Sequence, residues 1–208
     1  MYIQKEVFMK YSMLLIFLLN IMVGCSFNTS SEIITDDKTM SDVTTIQNVG
    51  SEMITYHHMY DNMDRGNHDY FDKTLAIDPS FNVSEISRGD VVFFDSEDGE
   101  KDISRVVAIP GEKIKITKGQ IYINGKKLDA FYGKAHRVGL DKNSYFKKMD
   151  NEGKEYDKNG MLEIFELNKK EIILSDDEYY LIGDDWLRGK MMVLKEDKLI
   201  GKVVGYSK

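Results

Sequence analysis

The sequence predicts a mainly β fold: antiparallel sheets or a half-open barrel, with a small α-containing insertion lobe. Three observations point there. From Met53 onward, short runs of β-branched and aromatic residues recur along the chain. Tight turn signals separate them, notably Lys118-Gly119 and Asn124-Gly125. Between Leu128 and Glu178 the period changes and charged, helix-like stretches replace the strands. Closely spaced strands with glycine turns favour antiparallel pairing over a parallel sheet.

The elements follow in order. "MITYHHMY" suits a strand, and "TLAID" makes a second that Pro79 stops. "GDVVFFD" is a third, and its continuous apolar run predicts burial on both faces. Within "DISRVVAIPGE" a fourth strand, Ile103 to Ile109, runs into a Pro110-Gly111 turn. "EKIKITKGQIYINGKKL" alternates cleanly, with Ile114 and Ile116 on one arm and Ile121 and Ile123 on the other. "GLDKNSYFKKMDNEG" reads as a short helix: Asp141 caps it, Tyr145, Phe146 and Met149 share a face, and Gly153 ends it. "GMLEIFELNKK" is compatible with helix or strand. "EYYLIGD" and "LIGKVVGY" are late strands.

The N-terminal residues have a different character. Lys5 and Lys10 lead into "YSMLLIFLLNIMVGC", a basic region, an apolar run and small residues, the pattern of an export signal. The apolar run from Tyr11 to Gly24 would span roughly 21 Å as a helix, short of the ~30 Å hydrocarbon core. A cleaved signal is therefore favoured over a membrane-spanning anchor. Cys25 is the only cysteine, which excludes an intrachain disulfide. "MVGC" resembles a bacterial lipoprotein lipobox, which implies cleavage before Cys25 and lipidation of its thiol. Two acyl chains suffice for stable anchoring. The expected organisation is a lipoprotein signal peptide (1–24), a Ser/Thr/Asn-rich flexible tether (25–50) and a domain (51–208) carrying an insertion lobe at about 129–177. The domain is expected outside the cytoplasm, lipid-anchored to the cell membrane.

The formal charge is -7 and no long basic run is present, which argues against nucleic acid as a partner. No paired metal-ligand spacing is present. His68 with Asp64, Asp69 and Asp72 reads as a solvated polar loop, so neither metal nor cofactor is expected. The "RGD" at 88–90 reads as a turn into a strand.

Four stretches together resemble the type I signal peptidase family: "ISRGDVVFF" (86–94), "SRVVAIPGEKIKITKGQIYINGKKL" (104–128), "EYYLIGDD" (178–185) and "LIGKVVGY" (199–206). The family order is an "SM-x-PT" turn, an "RGD-V-V" strand, a "KR-V-x-x-PG[DE]" strand, an "INGK" hairpin and a late "GDN…DSR" segment. The resemblance implies a signal peptidase-type half-open barrel and a Ser/Lys dyad, in which a desolvated lysine takes the proton of the attacking serine. Here the lysine position is Ser104, and the nucleophile position, 26 residues before Arg88, is Asn62. A hydroxyl of very high pKa is no general base at neutral pH. Lys101 lies three residues away on the same strand, an odd offset that points it to the other face. The late motif keeps Gly183, Asp184 and an arginine, Arg188, but Asp185 replaces the family's Asn.

No catalytic pair is intact on this reading. The resemblance implies a groove for an extended peptide or exported protein, with Tyr60, Asp61, Met63 and Ile103 as its candidate lining. Three functions stay open. One is a non-catalytic, peptide-binding lipoprotein. Another is an active but divergent signal peptidase, and the third is a structural or regulatory surface lipoprotein.

Overall fold

Alternation of isoleucines decides the first half of the architecture. In a computed structural model, which describes residues 32–39 and 42–207, every strand foreseen from Met53 onward is present. The strands in chain order are β1 (Ile33–Thr35), β2 (Thr45–Ile46), β3 (Ile54–His58), β4 (Lys73–Asp78), β5 (Val91–Asp95), β6 (Lys101–Ala108), β7 (Lys113–Thr117), β8 (Gln120–Ile123) and β9 (Lys126–Asp129). Helices α1 (Lys142–Glu152) and α2 (Lys158–Phe165) follow. The chain then returns to strand in β10 (Lys169–Ile173), β11 (Glu178–Ile182), β12 (Met191–Lys195) and β13 (Leu199–Ser207).

The strands form two sheets. The smaller has the order β1-β9-β8-β7-β10, and the larger β12-β11-β6-β5-β13-β4-β3, with β2 added beside β13. All pairings among the described residues are antiparallel except β1 with β9 and β2 with β13. Both hairpin turns of the β7-β8-β9 meander have two consecutive residues at positive φ. Lys118 and Gly119 lie at 48° and 72°, Asn124 and Gly125 at 51° and 78°. This is the turn chemistry the sequence signals, and it matches the right-handed strand twist. At Gly119 a Cβ would also meet the Phe165 carbonyl oxygen at 2.1 Å, so the turn and the end of α2 require glycine together.

β5 carries the larger sheet's core on both faces, as its unbroken apolar run implies. Val91 and Phe93 join a cluster with Met63, Leu75, Ile77 and Ile103. Val92 and Phe94 join another with Val106, Tyr179, Leu181 and Leu194. The smaller sheet buries Ile114, Ile116, Ile121, Ile123 and Leu128 against Tyr145, Met161 and Phe165 of the helices. Helix α1 begins where Asp141 accepts from the Ser144 N–H and ends at Gly153, whose φ of 61° is the left-handed stop expected there. The ambiguous run "GMLEIFELNKK" divides into the end of α2 and the start of β10.

One expectation changes. Residues 25–50 read as a flexible tether, yet within their described part Ile33–Thr35 pairs with β9 and Thr45–Ile46 with β13. Asp36 accepts from the Tyr132 hydroxyl at 2.5 Å and from Thr39 at the same distance. The segment is polar because its side chains face water, while its main chain completes two sheets. Cys25 and the export signal lie outside the described residues. No helix among the described residues is long and apolar enough to cross a membrane.

Candidate functional site

Three pieces of chain meet at one end of the larger sheet. They are the loop after β3, the first half of β6 and the 183–190 loop between β11 and β12. Their approach needs glycines. A Cβ on Gly183 would lie 2.5 Å from the Gly189 Cα and 2.7 Å from the Asn62 carbonyl oxygen. With glycine at both positions the loop closes, and the Asp185 N–H donates to the Asn62 carbonyl at 3.0 Å.

Arg105 anchors this junction from β6. Its guanidinium donates to both Asp184 oxygens, at 2.7 and 2.5 Å, and to the Gly89 carbonyl at 2.6 Å, all buried. Burial opposes the Arg105 charge, but Asp184 beside it outweighs that and raises its pKa above the usual arginine value. Asp185, fully buried, pairs with Arg137. Burial still raises its carboxyl above the ordinary range, with Arg137 pulling the other way. Arg188 reaches back to Asp61 at 2.7 Å and Asp64 at 3.4 Å. It thus tethers the late loop to the loop that carries Asn62.

Asn62 is 7% exposed and its amide is fully engaged. Its oxygen meets His58 Nε2 at 2.8 Å. Its nitrogen donates to the Ile103 carbonyl at 2.9 Å and to Asp102 at 3.1 Å. Burial lowers the His58 pKa and raises that of Asp102. The neutral imidazole donates from Nε2, which leaves its buried Nδ1 without a partner. Ser104 is 5% exposed, and its hydroxyl also has no hydrogen-bond partner. Lys101 is exposed and pairs with Asp95 at 2.8 Å, on the side of β6 that its odd offset from Ser104 requires.

The sequence placed Asn62 and Ser104 together. The Asn62 amide does reach β6, but at the carbonyl just before Ser104, and no hydrogen bond joins the two side chains. Tyr60 and Asp61 line an open cleft of about 320 Å³ with Asn62, Lys101, Asp102 and Arg188. Met63 and Ile103 do not line it, contrary to expectation. Both are fully buried and pack in one core cluster. His58 and Asp102 escaped sequence reasoning. Asp102 is two residues before Ser104, and His58 is four residues before Asn62, but only the fold shows that one amide joins them.

Asp61, Asp64 and His68 bring three ligand atoms within 4.8 Å of one another. Asp61 replaces the Asp69 and Asp72 that the sequence grouped with His68. The Arg188 guanidinium already supplies positive charge there. His68 is raised by its hydrogen bond to Asp61 and then by the Asp64 charge. The arrangement is that of an ion-pair network.

The family model for signal peptidase, peptidase S26, matches residues 8–204, and the chain belongs to this family. Among similar proteins, signal peptidase I S of Bacillus subtilis is 29% identical over 50% of this chain and 46% of its own length. Signal peptidase IB of Staphylococcus aureus is 25% identical over 59% of this chain and 61% of its own length. The chain thus spans roughly half the length of these relatives. A crystal structure of a signal peptidase I from Enterococcus faecalis is similar with a TM-score of 0.41 at 18% identity, covering 59% of this chain and 99% of that one.

Proposed function

We propose that this chain is a lipid-anchored, extracytoplasmic member of the signal peptidase family that binds extended peptides or exported proteins without cleaving them. One observation carries the reading. The nucleophile position is an asparagine whose amide is saturated by His58, Asp102 and Ile103, and the base position is a buried serine without a partner. An amide so held neither attacks a carbonyl nor accepts a proton from a nucleophile. The family is membrane-associated with its domain outside the cytoplasm, which fits the export signal and "MVGC" at Cys25. The cleft supports peptide binding, since it is open and lined by both charged and aromatic side chains, among them Asp61, Asp102, Lys101, Arg188 and the exposed Tyr60.

The test is hydrolysis of a synthetic signal peptide, together with labelling by a serine-acylating peptide inhibitor. Wild type is expected to do neither. Asn62→Ser with Ser104→Lys is expected to restore slow hydrolysis, and each single change to do little, because nucleophile and base act as a unit. Cleavage by wild type, unaffected at either position, would establish a divergent active peptidase instead. Intact mass of membrane-extracted protein tests the anchor, since an unlipidated Cys25 would refute it.

A further inference from the structure

β6 has an open edge. β5 pairs with it from Lys101 to Arg105, whereas β11 pairs only with Arg105, Val106 and Ala108. On that side no strand among the described residues lies against Lys101 to Ser104. An unpaired sheet edge is a template for an added strand, because its N–H and C=O groups seek partners. The open cleft of about 320 Å³ is lined by Lys101 and Asp102 of this stretch.

The edge is nonetheless satisfied by the chain's own side chains. The Tyr56 hydroxyl donates to the Lys101 carbonyl at 2.8 Å. The Asn62 amide donates to the Ile103 carbonyl at 2.9 Å. The Asp102 carboxylate accepts from the Ile103 N–H at 2.8 Å. Ile103 therefore has both main-chain groups engaged, as it would beside a neighbouring strand. Asn62 and Asp102 are joined at 3.1 Å, and His58 holds Asn62 from behind at 2.8 Å, so the set is fixed rather than incidental.

We propose that Tyr56, Asn62 and Asp102 form an intramolecular plug that stands in for a bound strand on the outer edge of β6. An extended peptide gains main-chain bonds to Ile103 only by displacing them. This rests on the reading of the cleft as a peptide site, and it turns the asparagine at the nucleophile position from a vacancy into a lock. The ligand class it implies is an extended segment recognised through its main chain, and removing the plug raises affinity for it.

The probe is a fluorescein-labelled, alanine-rich decapeptide. It is titrated by anisotropy into detergent-solubilised full-length protein, with hydrogen exchange read at Ile103. Asn62→Gly with Asp102→Ala should bind at least about ten-fold tighter than wild type. Its Ile103 amide should exchange faster when free and regain protection when the peptide saturates. Tyr56→Phe removes a single hydroxyl and should tighten binding about three-fold, and it decides the matter if the double variant does not fold. Affinities equal to or weaker than wild type in the folded variants overturn the plug. So does binding without renewed protection at Ile103, which leaves the peptide site itself standing. No binding by any form overturns both, while the hydrolysis and labelling tests judge loss of catalysis separately.

Discussion

Two substitutions, at Ser104 and at Asn62, should move stability in opposite directions. The Ser104 hydroxyl is buried with no partner. A desolvated, unsatisfied hydroxyl costs about 1–3 kcal/mol, and alanine removes it while leaving the Cβ in place. Ser104→Ala should therefore stabilise the fold by about 1 kcal/mol. For a chain of this size that is roughly 2–4 °C in Tm. Asn62→Ala acts in reverse. It deletes bonds to Ile103 and Asp102 and strips His58 Nε2 of its partner. Three lost bonds at about 1 kcal/mol each, with buried groups left unpaired, predict a loss of about 3 kcal/mol. Urea unfolding of both variants beside wild type measures the pair. Destabilisation by Ser104→Ala beyond about 1 kcal/mol would show that its hydroxyl is satisfied in solution, and a neutral Asn62→Ala would show that the network is idle. Either result would refute the argument that position 62 has gained a structural task while position 104 has lost its polar one.

Other outcomes follow from the same geometry. Arg105→Met should cost about 3–5 kcal/mol by leaving Asp184 buried and unpaired, and Arg105→Met with Asp184→Leu should recover most of it, read as a coupling in a urea double-mutant cycle. His58 has a lowered pKa, so below about pH 6.5 the unfolded chain takes up a proton that the folded one resists. Wild type should thus lose stability relative to His58→Gln between pH 7.5 and 5.5. The comparison is between these two proteins because His136 acts in the same sense and His68 in the opposite one. Asp141→Ala should cost about 1 kcal/mol by uncapping α1. The Ser144 N–H holds the Asp141 carboxyl down at about 2, so the cap is present above the ordinary carboxylate pKa and is lost as pH falls through 2. Asp141→Asn should keep the cap and remove that pH dependence, followed by helical circular dichroism.

Much of the fold was legible because it is local. The isoleucine alternation, the two glycine turns and the Asp141 and Gly153 caps are each decided within a few residues, and each appears where the sequence puts it. β12, "MMVLK", went unread because methionine carries little strand signal and its register comes from β11. The two strands inside the supposed tether failed for a related reason. They are two and three residues long, and their partners, Lys127 and Tyr206, are far along the chain. At the site, spacing from Arg88 singled out Asn62 and motif order singled out Ser104. Spacing could not say that Asn62 would be held by residues 4, 40 and 41 positions away, since its bonds to Asp102 and Ile103 exist only once the loop after β3 reaches β6.

The pattern of what this chain keeps and loses separates two uses of charge in one fold. Arg105 and Asp184 stand in recognisable family motifs and remain a buried bidentate pair. Removing either would strand the other in a low-dielectric core, so the pair is costly to lose whether or not the protein cleaves anything. A neutral lysine base offers the fold no such return. Burying its amine requires desolvation, and only catalysis benefits. If cleavage is not required, as proposed above, serine at 104 avoids that desolvation. The nucleophile position obeys different logic. Asparagine there keeps a donor and an acceptor, and both are turned inward to His58, Asp102 and the edge of β6. The two positions are therefore not equivalent. On the proposed reading, position 104 carries an unpartnered hydroxyl whereas position 62 is tied into a network, and it is that network which an extended peptide would have to displace to reach β6.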